Sequence, residues 1–515
     1  MASKRTALLL ATLVVLVSCS QVLVDRVART QSLPVEPPAL AEQVRSLLRL
    51  GPAGEAQLRL EEAAADLEPL PWSLRAAAAL DAGSLPPEGS EPASPTLDRR
   101  IQQAAERVDA GAALHLFDRL GRPIGFVDED GTPQWSEGLE SLDLSGSELT
   151  APERARGLRL SIDAELTRRL GRKLQGVQAS VVVLDARDGT VLFAGSDRRS
   201  RRRRPGATLY EQLEPASIAK MITTTAGLRA GLDVDSDLHS YRCRGSTMLG
   251  GSPLYCTAIK GRLGGLARAL ATSCNSAFAD LGSQLGREAV IAEYELYGFG
   301  RRPSESPAAY GWARPLVTAR ELGDLSIGLN QTEMTPLHGA VIARSWIDGL
   351  LLSPTLHLAA DSPLGNAPRR DVLTDPVREG SPESRRVIDE EWLPLLHRSL
   401  LEVTSRRGTA SLVAPPDFPA AMKTGTGQTE GHGFHTNYLG FAPEAEPLFA
   451  FAIRVRRGPT SRSTRRATKA LTRQVLRALR DYSDDYVTDS VLLRHARSSS
   501  AAPGPAPDVK RSDTP

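Results

Sequence analysis

From residue 158 onward the chain interleaves short β-branched runs with longer stretches that carry apolar residues at helical spacing. Leu158-Arg159-Leu160-Ser161-Ile162 leads into a predicted helix from Ala164 to Leu174, and Ala179 to Asp185 and Thr190 to Ala194 then read as two strands. Asp188-Gly189 between them predicts a hairpin, because both residues tolerate the backbone that a tight turn demands. Phe449 to Val455 predicts a further strand. Leu471, Val475 and Leu479 mark the inner face of a late helix whose other side carries Arg473, Arg477 and Arg480.

The pattern before residue 158 differs. Pro34 to Pro38 reads as a linker, and Leu40 to Leu80 as helices rich in Ala, Leu and Glu, with Val44, Leu47 and Leu48 at helical spacing. A Pro, Gly and Ser break spans Leu85 to Pro95, a second helix is predicted from Leu97 to Val108, and short strands surround Asp130-Gly131 between Leu114 and Glu137. No catalytic constellation precedes residue 150. Residues 26–157 therefore read as a small helical and β stalk or docking module, residues 158–485 as the main domain, and residues 486–515 as a Pro, Ala and Ser tail without a fold.

The amino terminus carries Lys4 and Arg5 ahead of an apolar run to Val17, a signal-type pattern. Leu16-Val17-Ser18-Cys19 resembles a lipoprotein cleavage box with Cys19 as the lipidated residue, whereas Val22-Leu23-Val24 prolongs the run enough for an uncleaved anchor over residues 1–25. Both readings leave the two basic residues in the cytoplasm and everything after them outside it, on a bacterial inner membrane.

Composition narrows the class. With 515 residues, 41% hydrophobic and 24% charged, the chain is neither a lone module, nor globally disordered, nor a polytopic membrane protein. Charge is uneven: residues 26–150 hold 11 basic and 21 acidic residues, residues 151–515 hold 50 and 39. The basic part favours anionic partners, yet it lacks the aromatic interleaving of a nucleic-acid module, so DNA and RNA are excluded as partners. Arg198, Arg199 and Arg201 to Arg204 are expected at a solvated loop. Cys243 and Cys256 flank a Gly-rich stretch that can turn the chain back, and they read either as a disulfide in an oxidising compartment or as two buried thiols. His432 and His435 have no cysteine or carboxylate cluster beside them, so no metal and no cofactor is expected.

Only seven lysines stand against 56 arginines, which draws the eye to Lys220 and Lys423. Ser217-Ile218-Ala219-Lys220 opens a helical stretch to Leu228 with Pro215 near its start. Spacing of three places Ser217 and Lys220 on one face, where a lysine amine can take a hydroxyl proton and an arginine cannot. Ser273-Cys274-Asn275 follows 56 residues later, after the apolar run Leu266 to Ala271, and Lys423-Thr424-Gly425-Thr426 a further 150 residues on. This ordered trio is the signature set of penicillin-binding proteins and class A β-lactamases.

At these residues the chain resembles the transpeptidase domain of penicillin-binding proteins of the monofunctional, class B type. The lead-in Leu160 to Asp163, the hairpin Val181 to Asp185, the block Ala267 to Gly282, Ile327-Gly328 with Thr335-Pro336-Leu337, and Asn437 to Pro443 carry the resemblance across residues 158–480. Ala216 and Ala219 depart from the usual glycine and bulky apolar residue, and Gly427 stands where alanine is common.

The resemblance implies an α+β fold in which an antiparallel sheet has helices on both sides. It further implies acylation of Ser217 by a peptidoglycan stem peptide or a β-lactam, with Lys220 as base. Ser273 relays a proton to the leaving amine, Lys423 tunes the field around Ser273, Asn275 holds the substrate amide, and Thr424, Gly425 and Thr426 receive the terminal carboxylate end. The backbone N–H groups of Ser217 and Thr426 form the oxyanion hole. Membrane-bound wall-synthesis partners would dock on residues 26–157. A D,D-carboxypeptidase, a β-lactamase, and a non-catalytic β-lactam sensor or assembly scaffold remain alternatives on the same motifs.

Overall fold

The structure, a computed structural model, describes residues 114–498 except 129–130, 145–156, 257, 259, 301–311, 314–317, 357, 359–383, 430–432 and 459. The signal segment with Cys19, the helices expected over 40–80 and 97–108, His432 and the chain beyond 498 lie outside the described residues. Two compact units divide the chain, residues 95–487 and the remainder, and the described fold is that of the first of these.

It opens with a four-stranded sheet, β1 (Leu114–Phe117), β2 (Pro123–Val127), β3 (Pro133–Trp135) and β4 (Gly157–Arg159), in the order β3-β2-β1-β4. The expected domain break at 157–158 falls inside β4, which pairs in parallel with β1. Asp143, just after this meander, accepts hydrogen bonds from Ser196 Oγ and from the backbone N–H of Gly206, so the sheet is tied directly into the body that follows.

Helix α1 (Ala164–Leu174) forms where its periodicity predicts, capped by Asp163, which accepts from the Leu166 N–H at 2.9 Å. The same carboxylate is wholly buried and also takes Arg119 Nε at 2.7 Å and the Tyr482 hydroxyl at 2.6 Å. Burial alone would raise its pKa, but the neighbouring Arg119 and Arg122 guanidinium groups and these hydrogen bonds hold it below the ordinary value. A group with a depressed folded pKa stabilises above its unfolded value and loses that contribution as pH falls through the folded value. Asp163→Ala is expected to destabilise the domain by about 3–5 kcal/mol, because it removes the buried carboxylate that Arg119 Nε and the Tyr482 hydroxyl share. Urea unfolding of the variant at neutral pH measures this, and the gap from wild type should shrink in acid.

The main sheet is antiparallel and five-stranded. β5 (Ala179–Asp185) and β6 (Val191–Ser196) form the predicted hairpin, with Gly189 at φ 76° in its turn. Three late strands, β7 (Ala421–Thr429), β8 (Gly433–Ala442) and β9 (Phe449–Gly458), complete the order β7-β8-β9-β5-β6, which leaves β7 at one edge. The arginine run expected as a loop is instead helix α2 (Arg198–Arg203), because Asp197 caps it through the N–H groups of Arg199 and Ser200.

Helix α3 (Ala219–Arg229) is buried from Ala219 to Gly227, so it shows no polar face. Helices α4 (Leu266–Thr272) and α5 (Asn275–Leu285) flank the Ser273 turn. Helix α6 (Pro336–Asp348) packs on one sheet face, close enough that a Cβ on Gly339 would come within 3.5 Å of Ala452. Helix α7 (Ser461–Ser498) covers the other: Phe449, of opposite parity to Ala452 along β9, meets Tyr486 at a ring-centroid distance of 4.9 Å. This helix–sheet–helix arrangement is the α+β fold expected. The 485 boundary falls within α7, which continues through the expected start of the tail to Ser498.

Candidate active site

Ser217 lies in a single 3-10 turn, Ala216–Ile218, that runs directly into α3, so Lys220 occupies the first turn of that helix. The turn is set by backbone geometry: Ala216 adopts φ 51° and its N–H donates to Gly328 O at 2.8 Å. A left-handed alanine is strained, and here it immediately precedes Ser217. A Cβ on Gly328 would sit 2.2 Å from Ala216 O, which explains a glycine in Ile327-Gly328.

Lys220 Nζ is wholly buried and lies 3.0 Å from Ser217 Oγ, 2.7 Å from Ser273 O, 3.1 Å from Ser273 Oγ and 2.7 Å from Asn275 Oδ1. An ammonium has three hydrogens for these four oxygens, whereas a neutral amine donates two and accepts the Ser217 hydroxyl proton. Burial lowers the Lys220 pKa to about 7, against an opposing pull from Cys274 and Cys256. Ser273 ends α4 in the left-handed region, φ 56° and ψ 49°, which aims its side chain back at the two lysines. Lys423 Nζ donates to Ser273 Oγ at 3.1 Å and to Thr424 O at 2.9 Å. Burial, then the charge of Lys220, pushes its pKa well down. All four residues expected to carry chemistry thus share one hydrogen-bonded cluster.

The edge strand β7 brings in the third motif. A Cβ on Gly425 would lie 2.5 Å from Pro215 O and 3.3 Å from Ser217 N, so only glycine lets the strand run this close to the Ser217 loop. Thr424 and Thr426 share a parity along β7, and the Thr424 hydroxyl is paired with Thr409 Oγ1 at 2.7 Å. Thr409 had no signal in the sequence, since nothing local ties it to the motif 15 residues later.

Beneath the loop, Glu214 accepts from the N–H groups of Asn330 and Gln428, while His435 Nε2 lies 2.9 Å from its backbone oxygen and Asn437 Nδ2 donates to that oxygen at 3.0 Å. Arg454 Nε donates to Asn437 Oδ1 at 2.8 Å and closes the network. His435 is thus a packed neighbour of the loop that precedes Ser217. This also accounts for Gly427: an alanine there would place its Cβ 2.5 Å from the His435 ring and 2.7 Å from Glu214 Oε2. Gly427→Ala is expected to destabilise the protein by about 1–3 kcal/mol through overpacking, read as a lower thermal midpoint, and to slow acylation. A midpoint equal to wild type would show that His435 yields freely.

Of the two readings of Cys243 and Cys256, the structure has the buried thiols: both are free, as is Cys274, and no disulfide joins them. The Gly-rich stretch folds as its own hairpin, Ser246–Leu249 with Ser252–Tyr255, and this delivers Cys256 to the start of α5. Cys256 Sγ therefore stands 3.6 Å from Cys274 Sγ.

The family profile described as "Penicillin binding protein transpeptidase domain" matches residues 179–477, more than half the chain. A peptidoglycan D,D-transpeptidase, PbpA, from Mycolicibacterium smegmatis is 30% identical over 275 residues, 48% of this chain and 51% of that protein. The chain spans about half the length of the curated relatives it matches first. Among solved structures, the penicillin G acyl-enzyme complex of penicillin-binding protein A from M. tuberculosis superposes with a TM-score of 0.56 at 19% identity, covering 72% of this chain and 99% of that one. The D,D-transpeptidase domain of a peptidoglycan glycosyltransferase from Eggerthella lenta gives a TM-score of 0.55 at 18% identity, covering 73% and 99%. At those identities the structures speak for the fold, and the profile match speaks for descent: the chain belongs to the penicillin-binding protein transpeptidase family.

Proposed function

We propose that the chain is a serine D,D-transpeptidase that cross-links peptidoglycan stem peptides through an acyl-enzyme at Ser217, and that β-lactams acylate the same hydroxyl. The observation that carries this reading is the contact between Ser217 Oγ and a wholly buried Lys220 amine poised to be neutral. Ser217 Oγ attacks the carbonyl carbon between the two terminal D-alanines while its proton passes to Lys220 Nζ. The backbone N–H groups of Ser217 and Thr426 receive the oxyanion, and a lost donor of this kind costs roughly 100-fold to 1000-fold in rate. As the C–N bond breaks, Ser273 relays the proton to the departing D-alanine amine. An amine of a second stem then attacks the ester and returns Ser217 to its hydroxyl form.

Asn275 holds the donor amide. Thr424 and Thr426 receive its carboxylate across Gly425, with Lys423 supplying positive potential. Among the described residues β7 has a partner strand on one side only, and its other side offers main-chain groups to an extended peptide. Among the described residues no carboxylate hydrogen-bonds Ser217 or Lys220, which supports a long-lived acyl-enzyme over the water-activated release of a class A β-lactamase.

Fluorescent penicillin followed by peptide mapping tests the site, with stable label on the Ser217 peptide expected. A donor pentapeptide supplied with an amine acceptor tests the transfer: cross-linked product is expected, and release of D-alanine alone would overturn transpeptidation in favour of carboxypeptidase action.

Residues 1–25 are proposed to hold the protein at the membrane with its catalytic domain outside the cytoplasm, and residues 26–157 to meet wall-synthesis partners. The support is the charged start and apolar run. No helix among the described residues is long and apolar enough to cross a membrane. Cys19→Ala distinguishes the two attachments: an unprocessed precursor on a gel marks a lipoprotein, and unchanged mobility an uncleaved anchor.

A further inference from the structure

Three buried thiols lie immediately behind the Ser273 turn, and the acylation chemistry uses none of them. The Sγ atoms of Cys243, Cys256 and Cys274 all fall within 4.8 Å of one another, and those of Cys256 and Cys274 are in hydrogen-bond contact at 3.6 Å. Cys274 sits between the two residues, Ser273 and Asn275, that hold Lys220 Nζ. Cys256 touches the same motif from the other side: its Sγ accepts the Asn275 N–H at 3.2 Å, and the preceding Tyr255 O accepts Asn275 Nδ2 at 3.2 Å.

We propose that Cys256 and Cys274 are a redox pair whose disulfide displaces the Ser273–Asn275 turn and slows acylation of Ser217. The proposal rests on the acyl-transfer reading of the site. A disulfide needs a sulfur separation of about 2.05 Å, so the pair must close by well over 1 Å. Whatever part of that movement side-chain rotation does not absorb falls on the backbone of Cys274 and on the segment ending at Cys256, and both adjoin Asn275. Closure also takes from the Asn275 N–H its thiol acceptor. A misplacement of about 1 Å at such a site is enough to cost roughly 100-fold in rate.

The two thiols are unequal in a way that orders the chemistry. Cys256 is 8% exposed beside Tyr255, which is 69% exposed, while Cys274 is wholly buried. Hydrogen bonding from the Cys274 thiol, followed by backbone N–H groups including that of Asn275, outweighs burial and acidifies Cys256; the reciprocal bond and burial push Cys274 up. The oxidant is a disulfide, either of a thiol–disulfide oxidoreductase or of a low-molecular-weight thiol. Cys256 thiolate attacks one of its sulfurs and expels the other as thiolate, which leaves a mixed disulfide. Cys274 loses its proton, attacks Cys256 Sγ and expels the second thiolate. Two electrons and two protons leave the protein, and the oxidant becomes two thiols.

Full-length protein is equilibrated with oxidised or reduced glutathione, free thiols are alkylated, and the bridged peptides are mapped by mass spectrometry. Fluorescent-penicillin labelling rates are measured on the same samples. A Cys256–Cys274 linkage is expected in the oxidised sample, with labelling about 10-fold to 100-fold slower than in the reduced one, recovered on reduction. Cys256→Ser should label at the reduced rate under both conditions, and Cys243→Ser should behave as wild type.

A bridge that requires Cys243, a metal ion retained by all three thiols, or equal labelling rates in a protein carrying the mapped disulfide would each overturn the proposal. Protein that forms the bridge on oxidation yet never labels even when reduced would instead sink the acyl-transfer reading, and with it any effect on acylation.

Discussion

Ser217→Ala is expected to abolish covalent β-lactam labelling while leaving the domain folded. The hydroxyl is the only atom removed, and the strained turn that presents it is fixed by other groups: the Ala216 N–H bond to Gly328 O and the close approach of Gly425. Losing one half-buried hydrogen bond costs on the order of 1 kcal/mol, far less than a domain of this size withstands. The chemical loss is complete, because no other group in the cluster can form the ester: Ser273 Oγ is held between Lys220 Nζ and Lys423 Nζ, and the Thr424 hydroxyl is paired with Thr409. Circular dichroism and thermal unfolding check the fold, and gel fluorescence checks the label. Undiminished labelling of a folded variant would remove Ser217 from the mechanism.

Lys220→Arg is expected to be as inactive as Lys220→Ala, with acylation slower by about 100-fold to 10,000-fold, the range for loss of a general base. Arginine keeps the positive charge but cannot give up its proton at neutral pH. Its planar group also exceeds a wholly buried pocket that already fits one amine among four oxygens. Wild-type pH dependence supplies an independent check. Burial lowers Lys220 to about 7, so the amine is protonated and idle below that value and free to accept the Ser217 proton above it. The acylation rate should therefore climb about tenfold per pH unit in acid and level off above neutrality. An arginine variant within about tenfold of wild type, or a flat profile from pH 5 to 8, would assign the proton to another group.

Much of this site was readable in one dimension because its motifs are local. Ser217 and Lys220 are brought together by helical spacing, Ser273 and Asn275 by a turn, and Thr424 and Thr426 by strand parity. The β5–β6 hairpin and α1 were equally legible, since Asp188-Gly189 and the Asp163 cap act within a few residues of themselves. The order of the motifs and their intervals pointed to a shared pocket through resemblance to a family, and no local rule could have placed Lys423 Nζ 3.1 Å from Ser273 Oγ across 150 residues.

What local pattern could not supply came from contacts made by distant segments. The strand order sets β9 against β5, and with it Tyr486 against Phe449 and the Asp163 cluster of Arg119 and Tyr482, residues that are unremarkable one at a time. Asp197 converts an arginine run, expected as a loop by its charge, into a capped helix. The cysteines show the difference most plainly: the Gly-rich stretch between Cys243 and Cys256 signals a turn but not its destination. The hairpin it forms carries Cys256 onto the end of α4 and the start of α5, where its sulfur stands 3.6 Å from that of Cys274. Period and turn chemistry are properties of neighbours along the chain. Which surfaces meet is decided by burying the apolar faces of all the elements at once, and that solution belongs to the whole domain.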